Sequence, residues 1–237
     1  MILTQKKKAL IISTFKSSGD QQMSIDLNLL EKTISDNNIL FTLRFYIWEG
    51  NWISIGYHQN DFPSHWKELK EQGLIDIVRR PSGGGAVLHS GGITYALTFR
   101  KPEYRKYSYQ VINALFIKSF KTLGLDFQNG SLKKAAIIQN CFSTSNISDL
   151  LDFNGYKRIG SAQYWKKGCF LQHGEIQLNP PLELWKKVFG VNPPPKLNLA
   201  LSNVEIIEHL KKSFLENFSD PSLEHIFLNP YDLVNHI

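Results

Sequence analysis

The stretch Arg79-Arg-Pro-Ser-Gly-Gly-Gly-Ala-Val-Leu-His89 has the residue types in this chain that point most directly to chemistry. Gly83, Gly84 and Gly85 lack Cβ, so the backbone there can turn sharply and approach a ligand closely. Successive N–H groups in such a turn form a concave donor surface suited to an oxyanion or a phosphate. Arg79 and Arg80 place positive charge at its entrance. The loop is read as a holder for the head group of a small anionic or activated acyl substrate. Three further segments carry reactive groups: Ile53-Ser-Ile-Gly-Tyr-His-Gln59, Asn140-Cys-Phe142, and the run from Lys157 through Gly160-Ser-Ala-Gln163 to Leu171-Gln-His-Gly174. Taken singly, each has an ordinary structural reading. The triple glycine fits neither a Walker A loop nor a GxGxxG opening a helix, and can be a plain flexible turn. Cys141 can be a small buried hydrophobe, Lys157 a surface lysine, and His173 a hydrogen-bonded structural residue. Cys169, within Cys169-Phe-Leu171, is expected in the core. The cysteines and histidines show no paired metal-ligand spacing, so no metal site is expected.

The elements that must position these groups follow from patterning. The 237 residues, 42% hydrophobic and 20% charged, have the ordinary globular mix and suffice for a real core. No apolar run is long enough to span a bilayer. Residues 1–15 put a basic cluster before a short apolar stretch that Lys16 interrupts, which predicts a first strand instead of a signal peptide. Two cysteines are too few for a disulfide framework, and a cytoplasmic location is expected. The net charge of +6 permits a nucleic acid but suits an acidic protein or cofactor equally, and no long basic arm is present. Spacing predicts an amphipathic helix over 24–33 and strands over 41–48 and 52–57 joined by a turn at 49–51. A short helix over 63–72 closes at Gly73, and a strand over 74–78 feeds the glycine loop. Residues 85–88 and 93–99 read as a hairpin turning at Ser90-Gly-Gly92. A helix over 104–123, strands near 136–138, 149–153, 157–163 and 169–178, a helix opened by Pro180-Pro181, a rigid Pro193-Pro-Pro195 connector and a helix over 204–218 complete the pattern. Strands and helices fall in blocks, which predicts an α+β fold with a mixed, mostly antiparallel sheet flanked by helices. One domain over 1–237 is expected, with 196–237 a helical C-terminal tail.

Read together, the motifs carry a resemblance. RRPSGGGAVLH, KRIGSAQ about 80 residues downstream, LQHGEIQL after it, and Gln22-Met-Ser-Ile-Asp26 before it occur in order over roughly 18–178. This arrangement resembles the biotin/lipoate protein ligase superfamily, in particular the branch of lipoate-protein ligases and cysteine-dependent octanoyltransferases. The resemblance implies that family's catalytic-domain fold. It also implies substrate binding by Arg80, Ser82, Gly83, Gly84, Gly85, His89, Gly160, Ser161, Ala162 and His173. Two positions depart from the family pattern. Ser90 stands where an acidic residue often follows the loop histidine, and the next turn reads Gly92-Ile-Thr.

The family divides into two chemistries. Ligases use ATP, with Mg, to form an acyl-adenylate and pass the acyl group to a lysine of a carrier domain. Transferases take an octanoyl group from acyl carrier protein through a cysteine thioester and need no cofactor. Three features favour the transferase. The SIGYHQ segment is similar to that of the cysteine-dependent enzymes, Cys141 sits where they place their nucleophile, and no accessory C-terminal domain is apparent. The resemblance then implies Cys141 as nucleophile and Lys157 as the ammonium that lowers its pKa and steadies the oxyanion. In the ligase alternative, Lys157 contacts the adenylate and Cys141 is incidental. Gly160, Ser161 and Ala162 would let an acyl chain lie close to the backbone, each buried methylene contributing about 0.8 kcal/mol. The implied partners are acyl carrier protein, drawn by the positive charge, and lipoyl domains of 2-oxoacid dehydrogenase E2 subunits or glycine cleavage H protein. No nucleic-acid or membrane partner is expected, and the protein is expected to be a monomer.

Overall fold

The computed structural model describes residues 6–100, 107–130, 146–218 and 222–229. In chain order its elements are β1 (Lys7–Ile12), β2 (Lys16–Ser17), α1 (Gly19–Ser35), β3 (Ile39–Trp48), β4 (Trp52–Ile55), α2 (His65–Glu71), β5 (Asp76–Arg79), β6 (Val87–His89), β7 (Ile93–Arg100), α3 (Ser108–Lys121), β8 (Phe127–Asn129), β9 (Leu150–Asp152), β10 (Lys157–Lys166), β11 (Cys169–Ile176), α4 (Leu182–Phe189), α5 (Asn203–Asn217) and β12 (Leu223–Leu228). The large sheet runs β12-β1-β3-β7-β11-β10-β9-β8, with β2 alongside β3. From β3 to β8 every pairing is antiparallel, while β1 pairs in parallel with β3 and β12. A small sheet, β5-β4-β6, stands apart from it. The α+β class with a mixed, mostly antiparallel sheet matches the expectation. Among the described residues no helix is long and apolar enough to cross a membrane.

Period-two alternation divides the large sheet into two unlike faces. One carries Phe41, Leu43 and Phe45 of β3, Tyr95, Leu97 and Phe99 of β7, and Phe170 and Ile176 of β11. These pack against Ile112, Phe116 and Phe120 of α3 and Ile206, Leu210 and Phe214 of α5. Burying side chains of this size contributes about 1.5–3 kcal/mol each, so this face is the main anchor of the fold. The opposite face carries Arg44 and Tyr46, Thr94 and Ala96, His173 and Glu175, and Gly160 and Ala162, neighbours by strand register. Small and polar residues cannot fill the space above them. That space becomes the site.

Two elements wall it in. Helix α1 starts at Ser18, whose hydroxyl accepts from the Gln21 N–H, and turns Gln22, Met23, Ile25, Asp26, Leu29 and Leu30 inward. The small sheet packs Ile53, Ile55 and Leu88 against Trp66 and Leu69 of α2 and Trp185 and Val188 of α4. Alternation then leaves Trp52, Ser54 and His89 on its other side.

The hairpin expected over 85–88 and 93–99 is corrected, while the two strands expected to be joined at 49–51 are present but do not pair. β3 and β4 belong to different sheets, and so do β6 and β7. The turns at Gly50 (φ +79°) and Gly91 (φ +73°) are real, but each carries the chain from one sheet to the other. A turn signal fixes a change of direction and says nothing about which sheet the next strand joins. Residues 196–237, expected as a helical tail, also contain β12, which extends the large sheet beside β1. The helices expected over 24–33 and 204–218 begin earlier, at Gly19 and Asn203, where serine caps start them. The strand expected near 136–138 lies outside the described residues.

Candidate active site

A cavity of about 560 Å³, counting its mouth, opens between the polar face of the large sheet, α1 and the small sheet. Met23, Trp48 and Val87 supply apolar wall, while Gly160, Ala162 and Gly174 leave room along β10 and β11. Gly174 is required there, because a Cβ would stand 2.5 Å from the Gly160 carbonyl oxygen.

The glycine loop forms one rim, held by two arginines. Arg80 is buried, and its Nη1 donates to the Ser54 carbonyl at 2.8 Å. Its Nη2 donates to the carbonyls of Gly83 and Gly85, both at 2.7 Å. Arg79 donates to the carbonyls of Gly56, Tyr57 and Gln59 at 2.8–3.0 Å. The pair therefore stands at the rim, as expected, and its guanidiniums also brace the loop through its carbonyls. Gly56 completes the seat. A Cβ there would lie 2.0 Å from the Gly84 oxygen, so the loop rests directly on the SIGYHQ backbone. Gly84 itself has φ +95°, a conformation that favours glycine.

Two hydrogen-bonded chains of the same grammar meet the cavity. In the first, Ser54 Oγ lies 2.8 Å from His89 Nε2, and His89 Nδ1 lies 2.8 Å from Glu175 Oε2. Register explains it: His89 is opposite Trp52, hence diagonal to Ser54, and Glu175 is opposite Thr94. Thr94 donates to the same Glu175 oxygen and accepts from Trp48 Nε1 at 2.7 Å. Trp48 stacks on the His89 ring with centroids 4.0 Å apart. Burial holds the His89 pKa below its ordinary 6.5, against the pull of Glu175. In the second chain, Ser82 Oγ lies 2.6 Å from His173 Nε2, and His173 Nδ1 lies 3.0 Å from Asp26 Oδ2. Tyr46 OH donates to Asp26 at 3.1 Å, and Arg44 Nε stands 3.6 Å from its other oxygen. Burial, then the Asp26 charge, raises the Tyr46 pKa well above its ordinary value.

At the β9–β10 side, Lys157 Nζ pairs with Asp149 Oδ1 at 2.9 Å, both side chains at most 3% exposed. The Asn146 N–H donates to the other Asp149 oxygen at 2.8 Å, and both Asn146 and Asp149 line the cavity.

The structure thus gathers Arg80, Gly83, Gly84, His89, Gly160, Ser161, Ala162 and His173 around one space. Ser82, Gly85 and Lys157 stand just behind its wall, touching it through His173, Arg80 and Asp149. Cys141 lies outside the described residues. Cys169 is buried, as expected, and burial raises its pKa. Sequence reading missed Tyr46, Trp48, Thr94, Asp149 and Glu175. One signal was available: Glu175 is two residues from His173 on a strand, so the two share a face. Glu175 brings its carboxylate to His89 from the large sheet.

The geometry has relatives. The family described as the lipoyl protein ligase A/B catalytic domain matches residues 18–209. Octanoyltransferase LipM of Lysinibacillus sphaericus is 34% identical over 196 residues, covering 76% of this chain and 69% of that protein. LipM of Bacillus subtilis is 29% identical over 250 residues, covering 92% and 88%. Among solved structures, lipoate-protein ligase A bound with ATP superposes with a TM-score of 0.73 at 19% identity, over 97% of this chain and 93% of that one. A bi-partite lipoate protein ligase from Thermoplasma acidophilum gives 0.71 at 19% identity, over 98% and 92%. At that identity the superpositions speak for the fold, whereas the matched span and the LipM identities speak for descent: this chain belongs to the lipoyl protein ligase A/B catalytic-domain family.

Proposed function

We propose that this protein transfers an octanoyl group in protein lipoylation, from acyl carrier protein to a lysine of a lipoyl domain, through a thioester on Cys141. The observation that carries the reading is the pairing of a mainly apolar, loop-rimmed cavity with a buried lysine at its edge, in a chain whose relatives are named octanoyltransferases.

The chemistry follows from the residues. The Cys141 sulfur attacks the thioester carbonyl and displaces the carrier thiol, which takes up the cysteine proton. Thiol and thioester exchange at nearly equal free energy, so no ATP is needed. The Lys157 ammonium stands ready to favour the thiolate and the developing oxyanion. Asp149 fixes its direction from a buried pair that would be costly to break, about 3–5 kcal/mol. Asn146, on the cavity wall, is five residues from Cys141, within a span of at most about 18 Å. The acceptor amine then attacks the acyl-cysteine, forming an amide and returning the thiol. The octanoyl tail occupies the space along Gly160 and Ala162, and the net charge of +6 suits an acidic carrier protein.

The test needs no ATP. Incubation with octanoyl-acyl carrier protein should add one octanoyl group at Cys141, removable by neutral hydroxylamine and absent in Cys141→Ser. ATP–pyrophosphate exchange driven by free lipoate, with no adduct, would instead identify a ligase working through an adenylate.

A further inference from the structure

The mechanism above leaves the Ser54 hydroxyl, a member of the cavity lining, unused. Ser54, His89 and Glu175 all line it, and they stand in the order hydroxyl, imidazole, carboxylate with both links at 2.8 Å. We propose that Ser54 is a second acyl acceptor, activated by His89 and Glu175, and that it gives the protein an esterase activity toward medium-chain acyl esters and thioesters. The acyl preference rests on the transferase reading; the triad geometry does not.

Each group is in the state the chemistry requires. With Glu175 accepting from Nδ1–H, a neutral His89 ring offers Nε2 to the Ser54 hydroxyl proton. Burial keeps that ring neutral at physiological pH. Trp48 stacked on one face and Thr94 on the shared carboxylate oxygen prevent the imidazole from turning away. Arg80 Nη1 is 3.3 Å from Ser54 Oγ, so a fixed positive charge adjoins the point where an oxyanion would form. Ser54 belongs to the cavity lining, whereas the equally buried Ser82 of the other chain does not.

The steps balance. Ser54 Oγ bonds to the acyl carbonyl carbon, and its proton passes to His89 Nε2. The bond to the leaving alcohol or thiol breaks, and that group takes the proton from His89. Water then attacks the ester, giving one proton to His89, which returns it to Ser54 as the carboxylic acid leaves. Glu175 steadies the imidazolium and is not consumed.

The test uses the full chain carrying Cys141→Ala, treated with p-nitrophenyl octanoate. The expected result is a burst of nitrophenolate and an octanoyl adduct on the Ser54 peptide that resists neutral hydroxylamine. Adding Glu175→Gln should slow acylation by about 100-fold or more. In the unaltered chain, p-nitrophenyl octylphosphonate should label Ser54, a readout that requires no variant to fold. Absence of the ester or of the phosphonate label on Ser54, or an acylation rate untouched by Glu175→Gln, overturns the proposal. Failure of the transferase reading shows separately, as loss of the hydroxylamine-sensitive thioester from octanoyl-acyl carrier protein in the unaltered chain.

Discussion

The two serine–histidine–carboxylate chains use the same three groups at nearly the same distances, yet they stand differently in the molecule. Ser54–His89–Glu175 bridges the small sheet and the large one, and all three members face the cavity. Ser82–His173–Asp26 bridges the glycine loop, the large sheet and α1, and of its members only His173 reaches the cavity. Asp26 is further occupied by Tyr46 and Arg44. Both serines are buried, but one chain ends on a serine of the cavity lining and the other on a serine of the glycine loop behind it. Hydrogen-bond order alone does not make a catalytic constellation. Its place relative to the cavity decides.

The largest expected effect concerns neither chain but the ion pair beside them. Lys157→Met should lower octanoyl transfer roughly 10²- to 10³-fold, measured as the rate of lipoyl-domain octanoylation. Asp149→Asn would strand the Lys157 ammonium in the interior and should cost about 3–5 kcal/mol of stability by denaturant titration.

Next comes the contrast itself. In the Cys141→Ala background, Glu175→Gln should depress Ser54 acylation about 100-fold, whereas Asp26→Asn should change it less than about threefold. Equal effects from the two substitutions would erase the distinction drawn between the chains. His173→Phe should act on folding, leaving Ser82 without its imidazole partner and Asp26 with only Tyr46 and Arg44, at a cost of about 1–3 kcal/mol read as a lower denaturation midpoint. Gly56→Ala should displace the glycine loop, because its Cβ would meet the Gly84 oxygen at 2.0 Å. Overpacking of this kind costs about 1–3 kcal/mol and should also weaken acyl binding.

The smallest effect is in pH. His89 has a native pKa below the ordinary 6.5, so above pH 6.5 it is neutral in both folded and unfolded chains and adds no pH dependence. As pH falls through 6.5 the unfolded chain takes the proton first. Stability should decline until the depressed native pKa is reached. His89→Gln should flatten that part of a thermal-denaturation series, while Glu175, Arg80 and His173 keep their other contacts.

Much of this arrangement was legible in the sequence. The glycine loop, the lysine segment and the QHG strand were visible as residue types in order, and the structure assembles them around one cavity. Strand alternation also separated the core face of β11, with Phe170 and Ile176, from the face bearing His173 and Glu175. Sheet membership was not legible. Gly50 and Gly91 are genuine turn residues, yet whether a strand continues beside its neighbour or crosses to another sheet depends on packing against α2, α4 and α5, far away in the chain. The destination of the arginines was hidden for a similar reason. Nothing in RRPSGGG shows that six carbonyls of the loop and of the SIGYHQ segment would take the arginine donors before any ligand could. Glu175 lay within LQHGEIQL, two residues from His173 and on the same strand face, but nothing in that motif shows that its carboxylate would bond His89 of the other sheet.

The most direct measurement is the intact mass of the unaltered chain after incubation with octanoyl-acyl carrier protein and no nucleotide, beside Cys141→Ser and Lys157→Met. The expected result is one hydroxylamine-labile octanoyl group on the unaltered chain, none of that type on Cys141→Ser, and slow appearance on Lys157→Met. An equally labile adduct that persists in Cys141→Ser, or none at all until ATP and lipoate are supplied, would contradict covalent relay through that thiol.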